Sequence, residues 1–122
     1  LDVNFATDHP GMDKRRIGDQ KVGRGPIISR GANINPVVFD ELVKAATRKN
    51  IPYQVSAEPG GTGTDANAMQ LTRAGVATGL VGVALRYMHT PVEVLSLDDL
   101  EHTSELLKEF VLGIDDRTSF IP

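Results

Sequence analysis

The 122 residues hold 40% hydrophobic and 24% charged side chains with a net charge of −3, the balance of one ordinary globular domain with a real core. Lys and Arg are interspersed with Asp and Glu, which leaves no basic field for nucleic acid or an anionic membrane surface. With no cysteine, disulfides and thiolate sites are excluded, and any metal must be held by carboxylate and imidazole, which suits zinc, cobalt or manganese.

Leu1-Asp2-Val3-Asn4-Phe5-Ala6 alternates like a strand, with Leu1, Val3 and Phe5 on one face and Asp2 on the other. A core strand with no lead-in, in a chain whose first residue is Leu, predicts a piece of a longer protein. Thr7-Asp8-His9-Pro10-Gly11 follows as a turn. Met12 to Gly25 is polar and glycine-punctuated, and reads as a solvated loop carrying Lys14, Arg15, Arg16, Lys21 and Arg24. Pro26-Ile27-Ile28-Ser29-Arg30 is the next strand, entered at a proline that needs no ladder bond there. Asn35-Pro36 opens a helix, because Asn is a favoured N-cap and Pro a favoured first residue. Its apolar face is Val38, Leu42, Val43 and Ala46, and Arg48, Lys49 and Asn50 close it. Ile51 to Ala57 forms a strand entered through Pro52.

Pro59-Gly60-Gly61-Thr62-Gly63-Thr64-Asp65 joins that strand to a helix predicted over Asp65 to Ala74 and stopped by Gly75. Glycines before a helix N-terminus let bare N–H groups approach an anion. The stretch lacks the Gly-Lys-Ser/Thr of a P-loop and the third glycine of a dinucleotide fingerprint. Thr64 or Asp65 serves equally well as an ordinary N-cap. Val76 to Leu85, apolar on both faces and interrupted by Gly79 and Gly82, predicts a central strand covered on both sides. It delivers His89 to a strand end, where Pro91 forces the chain to turn and Arg86 and Glu93 stand close in sequence. Val92 to Leu95 can add a short strand. Ser96-Leu97-Asp98-Asp99 then reads as a capping box for the last helix. The expected buried stripe of that helix is Leu100, Thr103, Leu107, Val111 and Ile114, with His102 facing solvent. Strands alternating with helices indicate a layered α/β domain over residues 1–114, with 115–122 a loose tail. No apolar run reaches the roughly 18 residues of a membrane helix. The N-terminus also lacks a signal-peptide pattern, so a cytoplasmic location is the expectation.

Three segments together resemble one family: Leu1-Asp2-Val3 with Ala6-Thr7-Asp8-His9-Pro10-Gly11, then Gly61-Thr62-Gly63-Thr64-Asp65-Ala66, then Arg86-Tyr87-Met88-His89-Thr90-Pro91-Val92-Glu93. Their order and spacing resemble the dinuclear-metal aminopeptidases of the glutamyl aminopeptidase family, which includes the tetrahedral aminopeptidases and members once labelled endoglucanase or cellulase M. The resemblance implies the C-terminal part of a zinc-peptidase-like catalytic domain: three layers, helix–sheet–helix, with a mixed, mostly parallel sheet. It implies Asp2 as a ligand of one metal and His89 as a ligand of the other. The two ions, Zn or Co, would bind and activate a water. Gly61, Thr64 and Asp65 match a loop bordering the substrate cleft. Arg86 and Glu93 would orient His89 or pair with each other, and simple loop-bracing salt bridges fit these residues equally well. The family's upstream histidine, bridging aspartate and glutamate pair, one of them the general base, precede the position equivalent to Leu1.

The expectation is therefore a peptide-cleaving aminopeptidase as the longer parent, a homo-oligomer. The 122 residues alone, lacking the N-terminal part of the domain as their partner, should bind metal weakly and hydrolyse nothing. The alternative is a stand-alone α/β binding or assembly module with an anion site at Gly61–Asp65. Glycoside hydrolysis fits poorly, since no Trp and only six Phe and Tyr residues are present to form sugar platforms.

Overall fold

In the computed structural model, which describes residues 1–122, four strands form one open sheet: β1 (Asp2–Phe5), β2 (Ile27–Gly31), β3 (Gln54–Glu58) and β4 (Val81–Leu85). Their order is β1-β4-β2-β3. β1 runs parallel to β4 and β2 parallel to β3. β2 and β4 meet antiparallel through two residue pairs, Ile27 with Gly82 and Ile28 with Val81. The sheet is thus mixed and mostly parallel, as the alternation of elements indicated.

Paired residues share a face, so Ile28, Val55 and Val81 lie on one side and Asp2, Ile27, Gln54 and Gly82 on the other. The two long helices, α2 (Pro36–Lys49) and α4 (Leu97–Leu112), both pack on the first side, where Ile28, Val38, Leu42, Val81 and Leu106 share one buried cluster. The second side carries a small cluster, Ala6, Ile27 and Ala84 beneath Val22. Two of the three expected layers are therefore built, and the helix-free face stays open near Asp2.

α2 begins and ends where its sequence dictates. The Asn35 side chain accepts from the Val37 and Val38 amides, and Asn50 closes the helix in a left-handed conformation. Its buried face is wider than expected, adding Phe39 and Ala45, while Val43 is only partly buried. Asn35 also donates from Nδ2 to the Phe120 carbonyl at 2.9 Å, and Phe120 packs on the core, so the tail is anchored at that point.

α4 departs from its sequence reading. Ser96 makes no side-chain cap. Asp99, expected to answer it, points inward at 1% exposure and accepts from the Gly23 and Gly25 amides at 2.7 and 2.8 Å. That tether rotates the helix by about one residue. Asp99, Thr103 and Leu106 form the buried line, and Leu100, Val111 and Ile114 are exposed. His102 is half-buried rather than solvent-facing.

Four other expectations are corrected. The basic loop contains a helical turn, α1 (Lys14–Ile17), capped by Asp13. Gly25 then lets the chain pass β3's entry: its φ is +82°, and a Cβ there would lie 2.0 Å from the Pro52 oxygen. The helix expected over Asp65 to Ala74 is one turn, α3 (Ala66–Met69), after which Arg73 and Gly75 adopt positive φ. Of Val76 to Leu85 only β4 is strand and fully buried; Val76 is exposed. Helix approach to this run is real at Gly79, where a Cβ would stand 2.5 Å from a Val38 methyl. Val92 to Leu95 contributes a single bridge, Arg86 to Val94, and no strand.

Candidate metal and substrate site

Because β1 and β4 are parallel and in register from Asp2–Gly82 to Phe5–Leu85, their C-terminal ends emerge side by side. Loops at such strand ends are free to carry chemistry while the sheet fixes their bases. The Ala6 amide donates to the Leu85 carbonyl at 3.0 Å, and two residues later the loops are joined again. Arg86 donates from Nε and Nη2 to the two Asp8 oxygens at 2.8 and 2.5 Å. The Val22 amide adds a third bond to Asp8 at 3.2 Å. The guanidinium hydrogen-bonded to Asp8 holds its carboxyl below the ordinary carboxylate range. The His9 ring lies 4.6 Å from that of Tyr87, tilted against it.

Past Arg86 the chain folds back sharply. Tyr87 and His89 have φ of 57° and 64°, left-handed values that cost a residue with a Cβ about 1–2 kcal/mol each. Local bonds offset that cost. Thr90 Oγ1 donates to the Tyr87 carbonyl at 2.6 Å, and the His89 amide donates to Glu93 Oε1 at 2.7 Å. Glu93 therefore fixes the backbone of His89. Arg86 is engaged with Asp8, so the alternative of an Arg86–Glu93 pair is not what forms.

The return brings His89 over the helix-free face. Asp2, at the start of β1, and His89, beyond the end of β4, line one cavity of about 350 Å³ together with Glu58, Thr62, Thr64 and Met88. Asp2 Oδ1 accepts from the Val3 amide at 2.8 Å. Glu58 accepts from Ser56 Oγ at 2.9 Å, and the Thr62 and Thr64 hydroxyls are 3.0 Å apart. Of the three residues expected at the cleft border, Thr64 lines the cavity and Gly61 and Asp65 do not. Glu58 escaped sequence reasoning, and Thr62 stood within the expected Gly61–Asp65 loop without being singled out. Glu58 was one residue past the expected strand end, yet strand alternation carried to it would have put it beside Ser56.

A carboxylate and an imidazole on one cavity are donors of the kind a catalytic zinc-like ion takes. They form an incomplete set, for no three His, Asp or Glu side chains in the chain are grouped so that they could hold a metal ion. The alternative anion site also loses its basis. α3 is a single turn, and its Asn67 and Ala68 amides already donate to the Thr64 and Asp65 carbonyls at 3.1 and 3.0 Å.

An open mixed sheet, long helices packed on one face, and a cavity on the other face lined by a carboxylate and an imidazole describe part of a layered α/β domain. The M42 glutamyl aminopeptidase family matches residues 1–106, and this chain belongs to that family. It is 42% identical over 108 residues to a lysyl aminopeptidase of Pyrococcus furiosus, covering 88% of this chain and 30% of that protein. Its fold is similar to a TET aminopeptidase from a marine-sediment Thaumarchaeota archaeon, with a TM-score of 0.84 at 30% identity, covering 93% of this chain and 32% of that one. It is also similar to the TET1 peptidase of Pyrococcus horikoshii, which can assemble into a tetrahedron or a large octahedral shell. There the TM-score is 0.70 at 26% identity, covering 92% and 32%. The chain spans about a third of the length of the curated relatives it matches.

Proposed function

We propose that this chain is the C-terminal part of the catalytic domain of a metal-dependent aminopeptidase, in which the parent protein removes N-terminal residues from peptides. The observation that carries the reading is the meeting of Asp2 and His89 on one cavity from opposite ends of two parallel strands. Asp2 would ligate one of two divalent ions, Zn or Co, and His89 the other. Bound there, the ions would supply a water of lowered pKa and a polarised scissile carbonyl. Glu93 holds the His89 backbone in its left-handed turn and so aims the imidazole. Asp8 and Arg86 lock the bases of the two loops that carry the site. Thr62 and Thr64 offer hydroxyls to a bound peptide on the opposite wall. Two donors bind metal weakly, so the 122 residues alone hydrolyse nothing. The parent is expected to be a cytoplasmic homo-oligomer, in keeping with the shells its Pyrococcus horikoshii relative can form.

The test uses the parent with aminoacyl-p-nitroanilides, with and without chelator. Activity lost to chelator, restored by Zn²⁺ or Co²⁺ and absent in His89→Ala supports the reading. Chelator-resistant activity, or full activity in His89→Ala, refutes it.

A further inference from the structure

The largest depression in the molecule, about 670 Å³, lies along the outer edge of β3 and is lined by Lys14, Arg15, Arg16, Lys21 and Arg24 with one acid, Asp19. Five cations against one carboxylate, in a chain of net charge −3, is a strong local reversal of sign. Asp19 engages Lys14 and Lys21 at 2.7 and 3.2 Å, and Arg16 and Arg24 are exposed with no acidic partner. The wall opposite is a strand edge. The Gln54 amide donates to Pro26 and the Glu58 carbonyl accepts from Ala32. By alternation, the backbone groups of Val55 and Ala57 point outward, away from β2. Gln20 donates from Nε2 to the Val55 carbonyl at 2.9 Å, but its own Oε1, in a side chain at 3% exposure, has no donor. A buried acceptor left unpaired costs free energy. The groups still open along this edge are the Val55 and Ala57 amides and the Ala57 carbonyl, whereas Gln20 Oε1 is buried beneath it.

We propose that this cleft binds an acidic, extended peptide segment of another protein, laid against β3 as an added strand with its carboxylates toward Arg16 and Arg24. The segment's amides would donate to the Ala57 carbonyl, and its carbonyls would accept from the Val55 and Ala57 amides. Main-chain bonds at a sheet edge supply affinity in this mode, and the charges choose the partner. A phosphodiester backbone matches the charge but has no amide to offer the outward Ala57 carbonyl, which favours a peptide over nucleic acid.

The test is fluorescence anisotropy of the parent protein with a labelled octapeptide alternating Glu and Val. Three comparators are a Lys-for-Glu version, a version N-methylated at alternate amides, and an oligonucleotide of equal charge. Binding is expected for the Glu peptide alone, weakened at least about tenfold by the Arg16→Glu/Arg24→Glu double variant and by N-methylation. Both substitutions are at exposed positions, and circular dichroism checks that the variant is folded. Absence of binding by the Glu peptide overturns the proposal. So does equal binding of the N-methylated peptide or of the oligonucleotide, since either reduces the cleft to an unspecific charged surface. Concentration-dependent self-association abolished by the double variant overturns it too, because the cleft would then be filled by a second copy.

Discussion

Replacing Asp99 separates two roles that one residue could play in this fold. As a capping-box partner of Ser96 its loss would cost about 1 kcal/mol or less. In the structure it instead accepts two backbone N–H bonds from Gly23 and Gly25, at 1% exposure and 74 or more residues away in sequence. Hydrogen bonds to a charged group are worth about 1.5–3 kcal/mol each. Asp99→Ala strands both donors and is expected to destabilise by about 3–5 kcal/mol, a large share of the roughly 5–15 kcal/mol a domain possesses. Asp99→Asn retains one acceptor oxygen, and its cost should fall between wild type and alanine. Ser96→Ala should be nearly neutral, since Ser96 forms no cap. Urea unfolding with slopes compared across the variants reads all three. An Asp99→Ala cost under about 1 kcal/mol, or a Ser96→Ala cost equal to it, would refute the tether and restore the capping box.

Three further outcomes are expected. Asp8 has its pKa lowered by Arg86, so its contribution to stability is present above the unfolded carboxylate value and lost as pH falls through the folded one. Urea midpoints measured from pH 6 downward should therefore drop less steeply below about pH 4 in Asp8→Asn than in wild type; parallel curves would contradict this. Gly79→Ala drives a methyl against Val38 and should cost about 1–3 kcal/mol, with the added substitution Val38→Ala recovering part of it in a double-mutant cycle. Asn35→Ala loses the cap on the Val37 and Val38 amides and should lower stability by about 1–2 kcal/mol, read from the thermal midpoint.

What could be read from the chain divides along a physical line. α2 was legible because its signals are local: Asn35, Pro36 and the apolar spacing act within a few residues of where they stand. The strand cores at Ile27–Ile28 and Val81–Leu85 were legible for the same reason. α4's rotation was not, because the partners of Asp99 are glycine amides far away in sequence, and a carboxylate three residues after a serine looks like a cap until they are known. The Asp8–Arg86 pair was hidden likewise, since only the parallel register of β1 and β4 brings those residues together. The stretch after Asp65 failed for a local reason. Its apolar residues could pattern a helix, but α3 packs little beyond Ala66 and ends after one turn. Within the site, Asp2 and His89 came from resemblance, whereas Glu58 and Thr62 needed the register of β3 and the path of the following loop.

The antiparallel meeting of β2 and β4 through Ile27–Gly82 and Ile28–Val81 has a consequence for the cavity. It makes a fault line between two parallel ribbons, spanned in the sheet by those pairs and above it by α2 resting on α4. One bank of the cavity, Glu58 with Thr62 and Thr64, hangs from the ribbon of β2 and β3. The other, Asp2 with His89, hangs from that of β1 and β4. The gap a substrate must fit is consequently gauged by a few contacts remote from any reacting atom, and bulk added at Gly82 would press on Asn4 of β1, where a Cβ would stand 2.8 Å from the Asn4 Cβ, and so shift the bank that carries Asp2.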